Sequence, residues 1–414
     1  SEAAVLPPAT DIAPAPPKSL VAGAAAALTP ATRRRVALPR RDAPGMAVIA
    51  VALLALAFST AVLVFVEPVR ALGVQGWAAL VILWTGGSLL CLLVLGVSWP
   101  RVMLGQAALL LSFAAFEGAA ANRFTPGGVT AWVFSVIFWW LALRDPDAKG
   151  PDLLGWLARA HAWLQNPTVA FRLTWTPALL IVITLAGAFF RFYDLDGVPP
   201  EMTSDAVEKL LDAARVFGDL GPDYAPNPQV FFPNNGGREP IQMYLVALTH
   251  RVTGIPYNFT LLKIVSALEA VVTIPLMYWM GKELVGARAG LIAAALVAVS
   301  YWHTVLGRMG LRIVLTPLFM TAMIVYLVRA MRRNRRADFL KAGLALGVGV
   351  YAYQALRMAP VFVIVAVGLA FLFMARSAAD RRRYLFNTLA LAVIAAAVFV
   401  PMMRFMLESP ELFW

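Results

Sequence analysis

"KIVSALEAVVTIPLMYWMGKELVGARAGLIAAALVA" occupies residues 263–298. Two apolar runs flank a short charged turn, "GKELVGAR". The runs belong to stretches 258–280 and 287–304, which have the length of roughly 17 to 25 residues that a helix needs to cross a bilayer core. Working outward, similar runs recur at 46–66, 76–98, 102–119, 128–144, 175–192, 313–331, 338–355, 358–375 and 385–403. The reading is an all-α, polytopic helical membrane protein with about eleven transmembrane helices.

Composition agrees with it. The 414 residues are 60% hydrophobic and 14% charged, more apolar surface than a soluble domain can hide. A formal charge of +12 raises the question of nucleic acid, but the distribution argues against that partner. With a cytoplasmic amino terminus and alternating spans, 23 of the 35 Lys and Arg fall on the cytoplasmic side, "RRNRR" and "DRRR" among them. Lysine and arginine mark the side of a membrane protein that stays inside, and they meet anionic lipid there. The expected location is the bacterial plasma membrane. Cys91 is alone, so no intramolecular disulfide can form. The first apolar run follows "RRRVALPRR", as an uncleaved anchor would.

Four regions follow from the pattern. Residues 1–45 are rich in Ala and Pro and bury too little to offset ordering entropy, so a disordered cytoplasmic arm is expected. Residues 46–144 hold four spans with few polar groups, Glu117 excepted, and read as a scaffold or as docking helices for a partner subunit. Residues 145–174 contain Leu153, Trp156, Leu157, Trp163 and Leu164 at roughly helical spacing, as in a linker helix lying flat at the inner interface. Residues 175–414 form the second transmembrane module, with a long polar outer loop at 193–257.

That loop contains "PPEMTSDAVEKLLDAARVFGDLG" at 199–221. Thr203, Ser204 and Asp205 suit an N-cap, and Glu208 stands three residues after Asp205, as in a capping box. Val207, Leu210, Leu211 and Ala214 share one face of the predicted helix, with Asp205, Glu208, Lys209 and Asp212 on the other. Downstream, "NNGGREP" makes a turn carrying Arg238 and Glu239, and a second surface helix starts at Pro240. Further polar residues converge on the same side: His303, Arg308 and Arg312, then Tyr351, Tyr353 and Arg357, with Lys263 one or two turns into its span. Singly, such cations are snorkelling anchors. Together they suit a phosphate at the membrane surface. Glu269 falls near mid-span, as a buried partner for a base or a proton site. Histidines 161, 250 and 303 are scattered, and no zinc, Walker or dinucleotide motif is present. No cofactor is implied, and a divalent cation is left open.

These segments resemble the C-type (GT-C) glycosyltransferases that use polyprenyl-phosphate sugars, in the branch of the protein O-mannosyltransferases and the lipid A aminoarabinose transferases. "TSDAVEKLLDAARVF" is similar to the family's acidic segment, and "GREPIQMYLVALTHRVTG" to its second surface helix. "SYWHTVLGRMGLRIVLTPLF" resembles the segment where an Arg follows the third module helix. The likeness spans about 175–404. It implies a GT-C-like module with short exoplasmic surface helices and a polyprenyl-phosphate-linked sugar as donor. In it, Asp205 and Glu208 would be the catalytic carboxylates, with Asp205 as general base. Lys263, Arg308, Arg312 and Arg357 would hold the donor phosphate, and Arg238, Glu239, His303, Tyr351 and Tyr353 would contact substrate. The acceptor, whether protein, lipid or glycan, is not specified. The family's acidic pair is commonly Asp-Glu where this chain has Asp205-Ala206, which keeps a non-catalytic subunit of the same fold in view. A transporter or lipid flippase coupled through Glu269 is the other alternative, although no internal repeat supports it.

Overall fold

The computed structural model describes residues 99–145 and 174–413, apart from 201, 202 and 376, with five more residues between 158 and 165. The expected arm at 1–45, the spans at 46–66 and 76–98 and nearly all of the linker helix at 145–174 lie outside the described residues. Contacts divide the chain into Ser1–Ala43 and Pro44–Trp414, and the described residues all belong to the second unit.

The architecture is all-α. Helices α1 (Trp99–Gly118) and α2 (Pro126–Leu143) form a hairpin, and α3 (Trp175–Phe192) leads into the long polar loop. That loop carries α4 (Ser204–Phe217) and α5 (Ile241–Thr253). Then come α6 (Phe259–Leu284), α7 (Ala287–Val299), α8 (Tyr301–Arg308), α9 (Leu315–Arg333), α10 (Arg336–Gly349), α11 (Ala359–Phe373), α12 (Ala378–Glu408) and the single turn α13 (Pro410–Phe413). Among the described residues the only β pairings are the isolated bridges Arg123–Gln229 and Phe232–Arg238.

Six helices are long and apolar enough to cross a bilayer, or seven if the bent pair α7–α8 is one span. Helix α1 stands where the span at 102–119 is expected. Helix α10 stands at 338–355 but has 14 residues, about 21 Å of helix against a core of about 30 Å. The expected eleven spans are therefore not reached among the described residues.

Side-chain packing joins these helices. Ala108 and Leu109 of α1 and Trp139 and Leu143 of α2 pack on Leu340, Ala390, Val393 and Ile394 of α10 and α12. Helices α6 and α7 approach so closely that a Cβ on Gly281 would lie 2.8 Å from the Gly290 Cα. Between α7 and α8 the chain bends by 53°, freeing backbone carbonyls that lipid could not satisfy. The fully buried Arg191 of α3 meets them, donating from Nη1 to Ala298 O at 2.9 Å and from Nη2 to Val297 O at 3.0 Å.

The loops sort to two ends of the bundle. At one, Arg333 pairs with Glu283 at 3.3 Å, Arg336 donates to Asn387 at 3.2 Å and lies 3.7 Å from Asp145, and Asn387 donates to Asn334 at 3.0 Å. These segments are the ones the charge count assigns to a single side. The opposite end gathers the α1–α2 turn, the loop 193–257, the turn after α8 and the segment after α10. It is called the site end below.

Candidate active site

Helix α4 lies on the site end with a different face inward from the one its spacing suggests. Ala206, Leu210, Ala213 and Val216 pack against Phe232, Met243 and Val246 of the neighbouring turn and α5, and against Leu261, Leu262 and Val265 of α6. Val207 is exposed and Leu211 only half-buried. The expected capping box is absent. Thr203 occupies the N-cap without a side-chain bond, and Asp205 is the second helical residue. Its oxygens are drawn to charged partners instead, since hydrogen bonds to ionised groups outweigh neutral ones.

Those partners come from the turn before α5. Asn235, Gly236 and Gly237 all have positive φ, the conformation in which Asn and Gly strain least. A Cβ on Gly237 would also lie 2.6 Å from the Phe231 ring. The turn is closed by paired backbone bonds between Phe232 and Arg238, at 2.9 and 2.7 Å. It aims Asn234 at Asp212 (2.8 Å) and Asn235 at Asp205 (2.6 Å). Arg238 then bridges the two carboxylates, Nη2 to Asp205 at 2.8 Å and Nη1 to Asp212 at 2.9 Å. Lys209, one turn along α4, lies 2.6 Å from Asp205.

Glu239 extends the cluster. Its carboxylate accepts from Arg312 Nη1 and Arg357 Nη2, each at 2.6 Å. Arg312 also donates to Gly237 O at 3.1 Å and lies 5.4 Å from the Tyr353 ring centroid. Arg357 donates to the Phe413 carbonyl and stacks 4.2 Å from that ring. Lys209, Arg238, Arg312 and Arg357 thus face Asp205, Asp212 and Glu239. One positive charge is left over, and Arg215 on Asp212 at 3.2 Å adds another.

The two aspartates differ in environment. Burial pushes Asp205 up, but Lys209 and Arg238 pull it the other way more strongly, to about 2. Burial raises Asp212, against Asn234, Arg238 and Arg215. Asp205 keeps 37% of its side chain exposed while Asp212 keeps none, so of the two only Asp205 is open to solvent.

Arg357 also stands at the mouth of an apolar groove of about 530 Å³ between α10, α11 and α12. Thr388, Leu391, Ala395, Phe399 and Met406 line it from α12. They cover about 27 Å of helix at 1.5 Å per residue, close to the thickness of a hydrocarbon core.

Other residues singled out from the sequence are placed elsewhere. Lys263 donates to the carbonyls of Leu195, Asp196 and Pro199 at 2.8–3.1 Å. Arg308 donates to those of Phe190, Tyr193, Asp194 and Val198 at 2.7–3.0 Å. Both hold the loop that follows α3. His303 accepts from Arg191 at 2.8 Å through Nδ1, at the α7–α8 bend. Tyr351 is committed to Val398 O at 2.9 Å. Glu208 is half-exposed on α4 and enters no ion pair among the described residues. Glu269 is buried in α6, 3.5 Å from the Gln242 amide. Sequence reading placed Asp212 and Lys209 on the polar face of α4 without a site role, and it gave none to Arg191. An Arg at the end of an otherwise apolar span was the available signal. Among the described residues no three His, Cys, Asp or Glu are grouped as metal ligands would be.

Residues 237–403 match the family model described as dolichyl-phosphate-mannose-protein mannosyltransferase. No curated protein matched the chain. The matched segment opens at the turn bearing Arg238 and Glu239 and runs through most of α12, taking in Arg312 and Arg357. Asp205 precedes it and is joined to it through Arg238. Residues 237–403 are therefore similar to a GT-C glycosyltransferase family domain, and they include helices long and apolar enough to cross a membrane.

Proposed function

We propose that this protein moves a sugar from a polyprenyl-phosphate donor to an acceptor hydroxyl at the exoplasmic surface. One observation carries the reading: an ionic cluster with excess positive charge stands at the mouth of an apolar groove about as long as a membrane leaflet pair is thick. Such a site suits a long lipid chain with an anionic head. The charge count supports the orientation, since the basic segments gather at the end opposite the site and the positive-inside rule puts that end in the cytoplasm.

In the reaction, the acceptor oxygen bonds to the anomeric carbon as the bond from that carbon to the phosphate oxygen breaks. The electron pair departs with polyprenyl phosphate, where Arg312 and Arg357 stabilise the growing charge. Asp205 takes the acceptor's proton. A carboxylate with so low a pKa is a weak base. Glycosyl transfer through an oxocarbenium-like transition state makes the hydroxyl strongly acidic only once its bond to carbon is well advanced, so a weak but fully ionised acceptor suffices.

Asp205→Asn tests this. Asparagine has nearly the same shape and can keep one oxygen on Arg238 and Asn235, but its amide nitrogen cannot accept from Lys209 and it cannot take the proton. A base contributes about 100- to 10,000-fold in rate. Sugar transfer by the purified variant in lipid nanodiscs is expected to fall by that factor with helix content unchanged. Transfer near the wild-type rate would remove Asp205 from the mechanism.

A further inference from the structure

A second apolar cavity, of about 560 Å³, lies on the site end between α2, α5 and the segment after α10. Phe124, Val129 and Trp132 line it on one side, and Tyr244, Leu245 and Tyr351 on the other. The mechanism above makes no use of it. Its position does relate to that mechanism. Pro240 belongs to its wall and directly follows Glu239, the carboxylate that holds Arg312 and Arg357.

The polar atoms of those six lining side chains are already used within the protein. Trp132 Nε1 donates to Val398 O at 3.0 Å, Tyr244 OH to Gln229 O at 3.0 Å and Tyr351 OH to Val398 O at 2.9 Å. Among the described residues no charged side chain lines the cavity. A peptide entering it would bury amides without partners, and a sugar would bury hydroxyls in the same way, both unfavourable. Hydrocarbon meets no such cost. Helix α2, which forms one wall, is among those long and apolar enough to cross a bilayer, so a chain can enter from the lipid side.

The two cavities differ in charge. The groove between α10, α11 and α12 has Arg357 at its mouth and suits a lipid that carries phosphate. The second has no cation among the described residues that line it. We propose that it receives the hydrocarbon chain of the acceptor, a hydroxyl-bearing lipid, and that the hydroxyl is thereby held on the same end of the bundle as Asp205. The inference rests on the glycosyltransferase reading above and adds the acceptor's chemical class. In the transfer, the lipid's oxygen bonds to the anomeric carbon, the bond to phosphate breaks with its electron pair leaving on polyprenyl phosphate, and the proton passes to Asp205.

The test uses the full chain in phosphatidylcholine nanodiscs and a diacylglycerol bearing a diazirine on its acyl chain. After irradiation, adducts are mapped by mass spectrometry. Labelling is expected on residues 124–132 and 241–245, competed by plain diacylglycerol and unaffected by polyprenyl phosphate. Val129→Trp and Leu245→Trp, each of which fills the cavity, are expected to cut it at least about fivefold; using two variants guards against one that fails to fold. A Ser/Thr-rich peptide with the same photoreactive group is expected not to label these segments. Competed labelling by the peptide, or lipid labelling that persists in both filled variants, overturns the proposal. The readout needs no turnover. An active Asp205→Asn enzyme would sink the mechanism and leave this result standing, and the reverse also holds.

Discussion

Arg238 and Asp212 form an ion pair at 2.9 Å with both side chains withdrawn from solvent, at 1% and 0% exposure. Breaking a buried pair from one side costs up to about 3–5 kcal/mol, and the Asp205 contact that Arg238 keeps holds the loss towards the lower end. Asp212→Ala is expected to lower stability by that order, read by thermal unfolding in detergent. It is also expected to lower activity, because Arg238 loses the contact that fixes its other fork on Asp205. A variant as stable as wild type would mean that the pair is not shielded as described.

The pH dependence follows from the low pKa of Asp205. Its folded value of about 2 lies below the ordinary 3.9 or so of an unfolded Asp. The group therefore adds stability above that ordinary value, and the contribution is lost as pH falls towards 2. Between pH 4 and 8 Asp205 stays ionised and sets no acid limb on kcat/KM. Lys209→Met removes one of the two cations that depress it, so its pKa rises and an acid limb is expected to move up into the measurable range. Identical pH profiles for variant and wild type would show that Lys209 does not control this carboxylate.

Arg357 tests the donor site. Arg357→Ala is expected to weaken polyprenyl-phosphate binding by about 1.5–3 kcal/mol, the worth of a charged hydrogen bond, or roughly 10- to 150-fold in Kd. Arg357→Lys recovers only part of this, since an ammonium cannot reproduce a fork shared between Glu239 and a phosphate. Equal affinity in the alanine variant would assign Arg357 to structure alone.

Lys263 and Arg308 lead to a different expectation. Lys263→Met leaves the carbonyls of Leu195, Asp196 and Pro199 without their donor, at about 1–3 kcal/mol for each that stays buried and unpaired. Limited proteolysis is expected to cut the variant within 193–199 faster than wild type. Donor affinity is expected to change less than in Arg357→Ala. The opposite ranking would return Lys263 to the phosphate site.

Sequence reading succeeded where the cause is local or compositional. Among the described residues hydropathy located the long helices, and the basic segments lie at one end, where Arg333 meets Glu283 and Asn387 meets Asn334. It failed where a partner is distant along the chain. Asp205 looked like a cap because Glu208 is three residues away, whereas the group that claims it, Arg238, is 33 residues away. Lys263 and Arg308 looked free for phosphate because nothing in the residues announces that the loop after α3 turns its carbonyls towards them. The inward face of α4 was misjudged for a related reason. Its polar stripe is itself buried, against a cation that hydrophobic periodicity does not count.

Glu239 has a consequence for the interval between turnovers. With one carboxylate engaging both Arg312 and Arg357, the two guanidiniums are ordered before any phosphate arrives. A donor headgroup exchanges one anionic partner for another and does not have to immobilise two long side chains, each at about 0.5–1.5 kcal/mol. In the proposed reaction the same carboxylate competes with the departing polyprenyl phosphate for those guanidiniums, which favours both quick capture and quick release of the lipid.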